Sequence, residues 1–430
     1  MTAETKTSVK NLINLLAPTQ RDTQTCNSQL QKDPWAFDAT LGYGPGASDT
    51  DTIPLSAPRQ GPLPQLYREL SDEQLHERIQ QAKATLGEDL VILGHFYQRD
   101  EIVKHADFIG DSFQLANAAL TRESAKHIVF CGVHFMAETA DILSTDDQSV
   151  ILPNLAAGCS MADMADLPSV EACWEQLMEV YADEQDGEKA PVIPVTYMNS
   201  SAALKAFCGR NGGIVCTSSN AATVLEWAFE RGQRVLFFPD QHLGRNIAKA
   251  MGISEEQMPL WWSKKPLGGN SEAELKDAKV ILWNGFCSVH KRFTTAQIAQ
   301  AREDYKDQNL RVIVHPECPA PVVEAADESG STDYIRRAIE DATEPTVFAI
   351  GTEINMVNRL AAETPQHTIF CLDPVICPCS TMYRIHPGYL AWVLDELVEG
   401  RVVNQIQVPA EDQEHAKIAL ERMLAAKPRN

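Results

Sequence analysis

Residues 369–382 read IFCLDPVICPCSTM and place Cys371, Cys377 and Cys379 inside nine residues. Thiolates are ligands of zinc and of iron–sulfur clusters, so the segment raises the question of a metal centre. Its gaps of six and two residues fit neither the paired Cys-x₂₋₄-Cys spacing of zinc sites nor the runs found in ferredoxins. A centre that used this segment would draw its other ligands from distant parts of the chain. Cys371 lies in the apolar run HTIFC, where strand packing accounts for it. Cys377 precedes Pro378 and is biased to an extended conformation, so Cys379, two residues on, could point the same way. A second constellation is VHPEC, with His315, Glu317 and Cys318. In an extended segment residues i and i+2 project to one side. The imidazole and the carboxylate would then face one cavity, as acid–base chemistry requires.

Further candidates recur in one kind of place, just after a short apolar run. They are His95 and Tyr97 in GHFYQ, Ser112 in IGDS, Tyr197 and Asn199 in TYMN, Ser218 in CTSSNA, His290 in CSVH and Thr332 in SGSTDY. Helix capping alone accounts for Ser112, Ser218 and Thr332 equally well, since Ser and Thr are favoured N-caps. As a set they also suit an anion site, because converging helix N-termini present free N–H groups and positive dipole ends.

The elements that would position these residues repeat along the chain. LVILGHFYQ, HIVFCGVHFMAETADIL, PVIPVTYMNSSAALKAF, GGIVCTSSNAATVLEWAFE, RVLFFPDQHLGRNIAKAM, KVILWNGFCSVH, RVIVHPECPAPVVEAAD, TVFAIGTEINMVNRLAAE and HTIFCLDPVICPCS each begin as a continuous apolar strand. Most then change to a helical pattern, which implies parallel sheets covered on both faces. In such sheets ligands sit beyond the carboxyl ends of the strands, where the candidates lie. The expected organisation is an irregular N-terminal extension over 1–70, α/β domains over 71–185, 186–300 and 301–400, and a C-terminal helix or tail over 401–430. The ordered body is expected to open on a helix capped by Ser71 with Gln74, ending near Gly87, with Leu75, Ile79, Ala82 and Leu86 on its apolar face.

Composition sets the outer bounds. The 430 residues suggest roughly three domains, and 44% apolar content is ordinary for a globular protein. A net charge of −22 argues against nucleic acid or an anionic membrane as partner. No basic and apolar leader opens the chain, and no apolar run approaches 18 residues, so a soluble cytoplasmic protein with reduced thiols is expected. The phosphate loop GxxxxGK[ST], the dinucleotide motif GxGxxG and the nucleophile elbow GxSxG are absent from the expected contexts.

The motifs GHFYQ, ADFIGDSFQLANAA, FCGVHFMAETADIL, TYMNSSAALKA, CTSSNAA, WNGFCSVH, VHPECP, SGST and CSTM, in this order over about residues 90–390, resemble the quinolinate synthase family. The resemblance implies three similar α/β domains with short parallel sheets around a pseudo-three-fold axis, with the active site in the central cavity. It implies a 4Fe-4S cluster held by one cysteine from each third of the chain, matched here to Cys131, Cys287 and Cys379. Cys159, Cys173, Cys208, Cys216 and Cys318 are then read as packing residues. The implied reaction condenses iminoaspartate with dihydroxyacetone phosphate and closes the ring to quinolinate, releasing phosphate and water, in de novo NAD biosynthesis. An aspartate-oxidising enzyme is the expected supplier of iminoaspartate, in transient contact at most. Glu317 is the candidate acid–base group, with His315 and Tyr197 as partners. His95, Tyr97, Ser112, Asn199, Ser218, His290 and Thr332 complete the substrate cavity. Competing readings are another Fe–S hydro-lyase acting on a small hydroxy acid, and a non-catalytic metal or electron carrier.

Overall fold

The computed structural model describes residues 60–122, 124–184, 188–374 and 378–426. The expectation for residues 1–59 and for Cys377 therefore lies outside the described residues. The chain is α/β, with three short sheets flanked by helices. The first holds β1 (Leu90–His95), β2 (Phe108–Gly110), β3 (His127–Cys131), β4 (Ser149–Ile151) and, from the far end of the chain, β14 (Gln405–Ile406). The second holds β5 (Ala190–Tyr197), β6 (Ile214–Cys216), β7 (Gly232–Phe238), β8 (Leu260–Trp261) and β9 (Val280–Trp283). The third holds β10 (Leu310–Val314), β11 (Glu328–Ser329), β12 (Val347–Gly351) and β13 (Thr368–Cys371). Strand neighbours are parallel except β14, which runs antiparallel to β4. The continuous apolar runs are explained by this arrangement: β1 is buried along its whole length, as are β9 and β12.

Register aligns the strand ends. His95 pairs with Gly110, Tyr197 with Cys216 and Val314 with Gly351. Residues two beyond these pairs therefore emerge side by side, which brings Tyr97 to Ser112 and Asn199 to Ser218. One apolar core runs through the first two sheets, and the third sheet has its own around Val312, Ile313, Val314, Phe348 and Ile350.

The helix Asp72–Leu86 has the expected capping box between Ser71 and Gln74, and Gly87 follows it at φ 53°. The docked chain begins earlier than that helix, however. Leu63 is 1% exposed, and a short helix Gln65–Glu69 sits against the helix Pro387–Val398, with Tyr67 donating to Asp395 at 2.9 Å. The helix Ala410–Ala425 packs along Ala202–Arg210 beneath the second sheet.

Candidate active site

A cavity enclosing ≈ 670 Å³ of atom-free space, its solvent opening included, lies at the strand ends of all three sheets. The first sheet contributes His95, Tyr97 and Ser112, the second Tyr197, Asn199, Ser218 and His290, and the third His315, Glu317 and Thr332. Ser112 and Thr332 are not the helix caps. Asp111 accepts from Gln114 N–H, and Ser331 from Tyr334 N–H, so each candidate is the first residue of its helix and its hydroxyl is left for the cavity. The Asn199 side-chain oxygen is buried without a partner within the protein, an acceptor that a bound molecule can satisfy.

The centre of the cavity is a buried hydrogen-bond network. Tyr197 donates to Glu317 Oε1 at 2.7 Å, and His290 Nδ1 lies 2.8 Å from Glu317 Oε2. His315 stacks on His290 with ring centroids 4.4 Å apart, and its Nδ1 is 3.8 Å from Glu317. Burial opposes ionisation of Glu317, but the adjoining His290 and His315 rings and the hydrogen bonds from His290 and Tyr197 prevail and hold its carboxyl well below the usual range. Burial pushes the His95 and His315 imidazoles down to about 3, helped by the charges of Arg359 and His290 respectively. The Tyr97 and Tyr197 phenols are pushed well above their usual value by burial and then by Glu317, so both remain hydrogen-bond donors.

Three thiols share the cavity wall: Cys159, Cys287 and Cys379. Cys131 does not line it. This candidate ligand ends β3 paired with Gly94, fully buried in the core of the first sheet. Of the nine described cysteines only Cys159, Cys287 and Cys379 are not fully buried in the core. Their local structures are alike. Each is followed by Ser, its carbonyl accepts the N–H four residues on (Asp163, Lys291 and Tyr383, at 3.1, 3.0 and 3.0 Å), and a 3₁₀ turn starts three residues on, at Ala162, His290 and Met382. Cys159 follows β4, Cys287 follows β9 and Cys379 follows β13, one cysteine per sheet. Sequence reasoning missed Cys159, although a signal existed: Cys-Ser occurs at 159, 287 and 379 and nowhere else in the chain.

The turns are held to one another and to the scaffold. Trp283 donates its indole N–H to Met164 O at 2.8 Å, joining the Cys159 turn to the strand that leads to Cys287. Asn154 donates to Arg384 O, and Arg384 to Ala156 O, tying the Cys159 loop to the Cys379 turn. The buried Glu353 accepts the Cys379 backbone N–H at 3.1 Å. Gly285, two residues before Cys287, is needed as glycine, because a Cβ there would lie 2.3 Å from the Pro239 carbonyl oxygen.

Burial pushes the Cys159 thiol up to about 12, and it raises Cys287 and Cys379 as well, each with another cysteine or a carboxylate as a further cause. Protonated thiols become ligands only when a cation displaces their protons. Three soft donors from three sheets fit a polynuclear thiolate-bound group such as an iron–sulfur cluster. Ligand atoms of Cys287, His290 and Glu317 lie within 4.8 Å of one another. Both Glu317 oxygens are engaged by Tyr197 and His290, so we read this trio as a closed hydrogen-bond network beside a thiol rather than as a single-ion site.

Fold and site together define an α/β enzyme in which the Glu317 hydrogen-bond network and three thiols share one cavity. Comparison with known proteins gives the family. The profile described as NadA: Quinolinate synthetase A protein matches residues 77–425. The quinolinate synthase of Corynebacterium glutamicum is 70% identical over 386 residues, covering 90% of this chain and 96% of that protein. Those of Rhodopirellula baltica and Acidobacterium capsulatum are 52% and 53% identical over 372 and 360 residues, covering 84% and 83% of this chain and 93% and 94% of theirs. The chain belongs to the quinolinate synthetase A family. No helix among the described residues is long and apolar enough to cross a membrane.

Proposed function

We propose that this protein condenses iminoaspartate with dihydroxyacetone phosphate to form quinolinate, releasing phosphate and water, as a cytoplasmic step of de novo NAD biosynthesis. The observation that carries the reading is the joining of three thiols and the Glu317 network in one cavity. Cys159, Cys287 and Cys379 would hold a 4Fe-4S cluster, Cys159 taking the place expected for Cys131. With three protein thiolates, such a cluster supplies one iron open to substrate as a Lewis acid.

The protein's own groups do the rest. Glu317, kept ionised, accepts a proton from a substrate carbon and returns it to a departing hydroxyl. Tyr197 and His290 hold its two oxygens in place, and His315 stacks behind His290. Ser112 and Thr332, at the starts of helices Ser112–Leu120 and Thr332–Glu340, hold anionic groups by hydroxyl and helix-end hydrogen bonds. Asn199, Ser218 and His95 complete the cradle. An aspartate-oxidising enzyme supplies iminoaspartate by release into solution or by transient contact.

The test is anaerobic purification with iron and sulfide counting and a quinolinate assay on the two substrates. C159A is expected to lose the cluster absorption and the activity, as are C287A and C379A. C131A is expected to keep both. Retention of the cluster in C159A with its loss in C131A would overturn the ligand assignment.

A further inference from the structure

Thr352 sits in the turn between β12 and the helix Ile354–Glu363 and is 1% exposed. It does not line the cavity, yet its hydroxyl touches two residues that do. Tyr97 Oη is 2.8 Å from Thr352 Oγ1, and His290 Nε2 is 3.2 Å from it. Tyr97 Oη and His290 Nε2 are themselves 3.4 Å apart. The turn is fixed from both sides: Gly351 O accepts His315 N–H at 3.0 Å, and Glu353 caps the following helix through Asn355 N–H at 2.8 Å.

The chemistry of these contacts imposes a direction. An ionised Glu317 can only accept. One oxygen takes the Tyr197 hydroxyl, so the other requires the proton on His290 Nδ1. In the neutral imidazole Nε2 is then a lone pair and needs a donor. Thr352 is that donor, and its oxygen in turn accepts the Tyr97 hydroxyl. Every donor in the series Tyr97, Thr352, His290 points towards Glu317. Without the hydroxyl the other tautomer opens: Nε2–H donates to Tyr97 Oη, and an Nδ1 lone pair faces the Glu317 carboxylate.

We propose that Thr352 is a positioning residue that selects the His290 tautomer donating to Glu317 and so keeps the acid–base pair aligned, without itself contacting substrate. The inference rests on the reading of Glu317 as the acid–base group. Residues that orient a functional imidazole from behind, as the outer-shell partners of metal-ligating histidines do, typically change activity 10–100-fold, so T352V is expected to lower kcat by about 10–100-fold. Its iron and sulfide content and its KM for both substrates should stay those of the unsubstituted protein. T352S, which keeps the hydroxyl, should recover most of the lost kcat. Should the valine variant not fold, T352A is judged by the same criteria. An unchanged kcat in T352V, or T352S falling with T352V, overturns the proposal. Imidazole ¹⁵N shifts, with His290 assigned by its loss in H290Q, separate this from failure of the proposed reaction. They should show protonated Nδ1 in the cluster-loaded protein and a changed tautomer in T352V whatever the product. An unchanged tautomer in T352V overturns the proposal even if the protein makes quinolinate.

Discussion

Glu317 is ionised in a place where burial alone would neutralise it, and its geometry explains why: both oxygens are occupied by donors. Glu317→Gln keeps the shape and removes the proton acceptor. We expect turnover to fall by about 10²–10⁴-fold with cluster absorption unchanged, measured on anaerobically reconstituted protein. His315 and Glu317 do meet, but through a turn rather than the extended segment expected: Cys318 N–H donates to His315 O at 3.0 Å and Glu317 N–H to His315 Nδ1 at 3.3 Å. The Ser112 and Thr332 hydroxyls were legible as candidates but not as non-caps. Asp-Ser and Ser-Thr each offer two good capping residues in a row, and only the backbone conformation decides which one turns inward to the helix. Cys159 was missed because GCSMAD looks like an ordinary loop until its repetition at 287 and 379 is set beside it. Thr352 left no trace in the sequence, since its partners Tyr97 and His290 are distant in the chain and meet only through tertiary structure.

At the scale of elements, the segment 60–70 changes the expected boundary. Gln60 Oε1 accepts Leu155 N–H at 2.8 Å and the Asn404 amide at 2.9 Å, so it braces the loop that leads to Cys159. Leu63 lies against the helix Pro387–Val398, close to Gly388. A chain beginning at residue 60 should keep its iron and turnover. One beginning at residue 65 loses a fully buried leucine, which contributes about 1.5–3 kcal/mol, together with the Gln60 brace. It should melt at lower temperature and bind iron less tightly to a competing chelator; equal melting temperature and iron retention in the two truncations would show the segment to be idle. The strand–helix units themselves were legible, since long apolar runs in parallel sheets need no period-2 signal. The segment 60–70 was not legible, because GPLPQLYREL carries only two apolar side chains that turn out to be buried. Such a short anchor has no periodicity to read.

For the whole molecule, the buried histidines set a pH dependence. His95 and His315 titrate near 3 when folded and near 6.5 when unfolded. Between these values the unfolded chain binds protons that the folded rings do not, so stability rises with pH in this window and is lost as pH falls from 6.5 towards 3. Each ring contributes a slope of up to about 1.4 kcal/mol per pH unit. Denaturant melts at pH 7, 6 and 5 should show the loss, and H95Q should flatten the curve; an unaltered slope would mean that other groups dominate. The α/β class was legible from the nine strand-end motifs. How the sheets meet was not, because the residues that join them, among them Trp283, Asn154 and Arg384, look unremarkable in sequence. The division of the thiols among three sheets also bears on how the protein is made. Cys379 leaves the ribosome about 220 residues after Cys159, and at about 5–20 residues per second that is an interval of roughly 10–40 s. Throughout it a growing chain has one or two thiols on an unfinished wall. A stalled or shortened product that ends before Cys379 lacks the third thiol, and with it β14 of the first sheet and the helix Ala410–Ala425 that packs beneath the second. Loading of any group held by all three thiols is therefore an event that follows synthesis, and the cell must keep these cysteines reduced until the last sheet arrives.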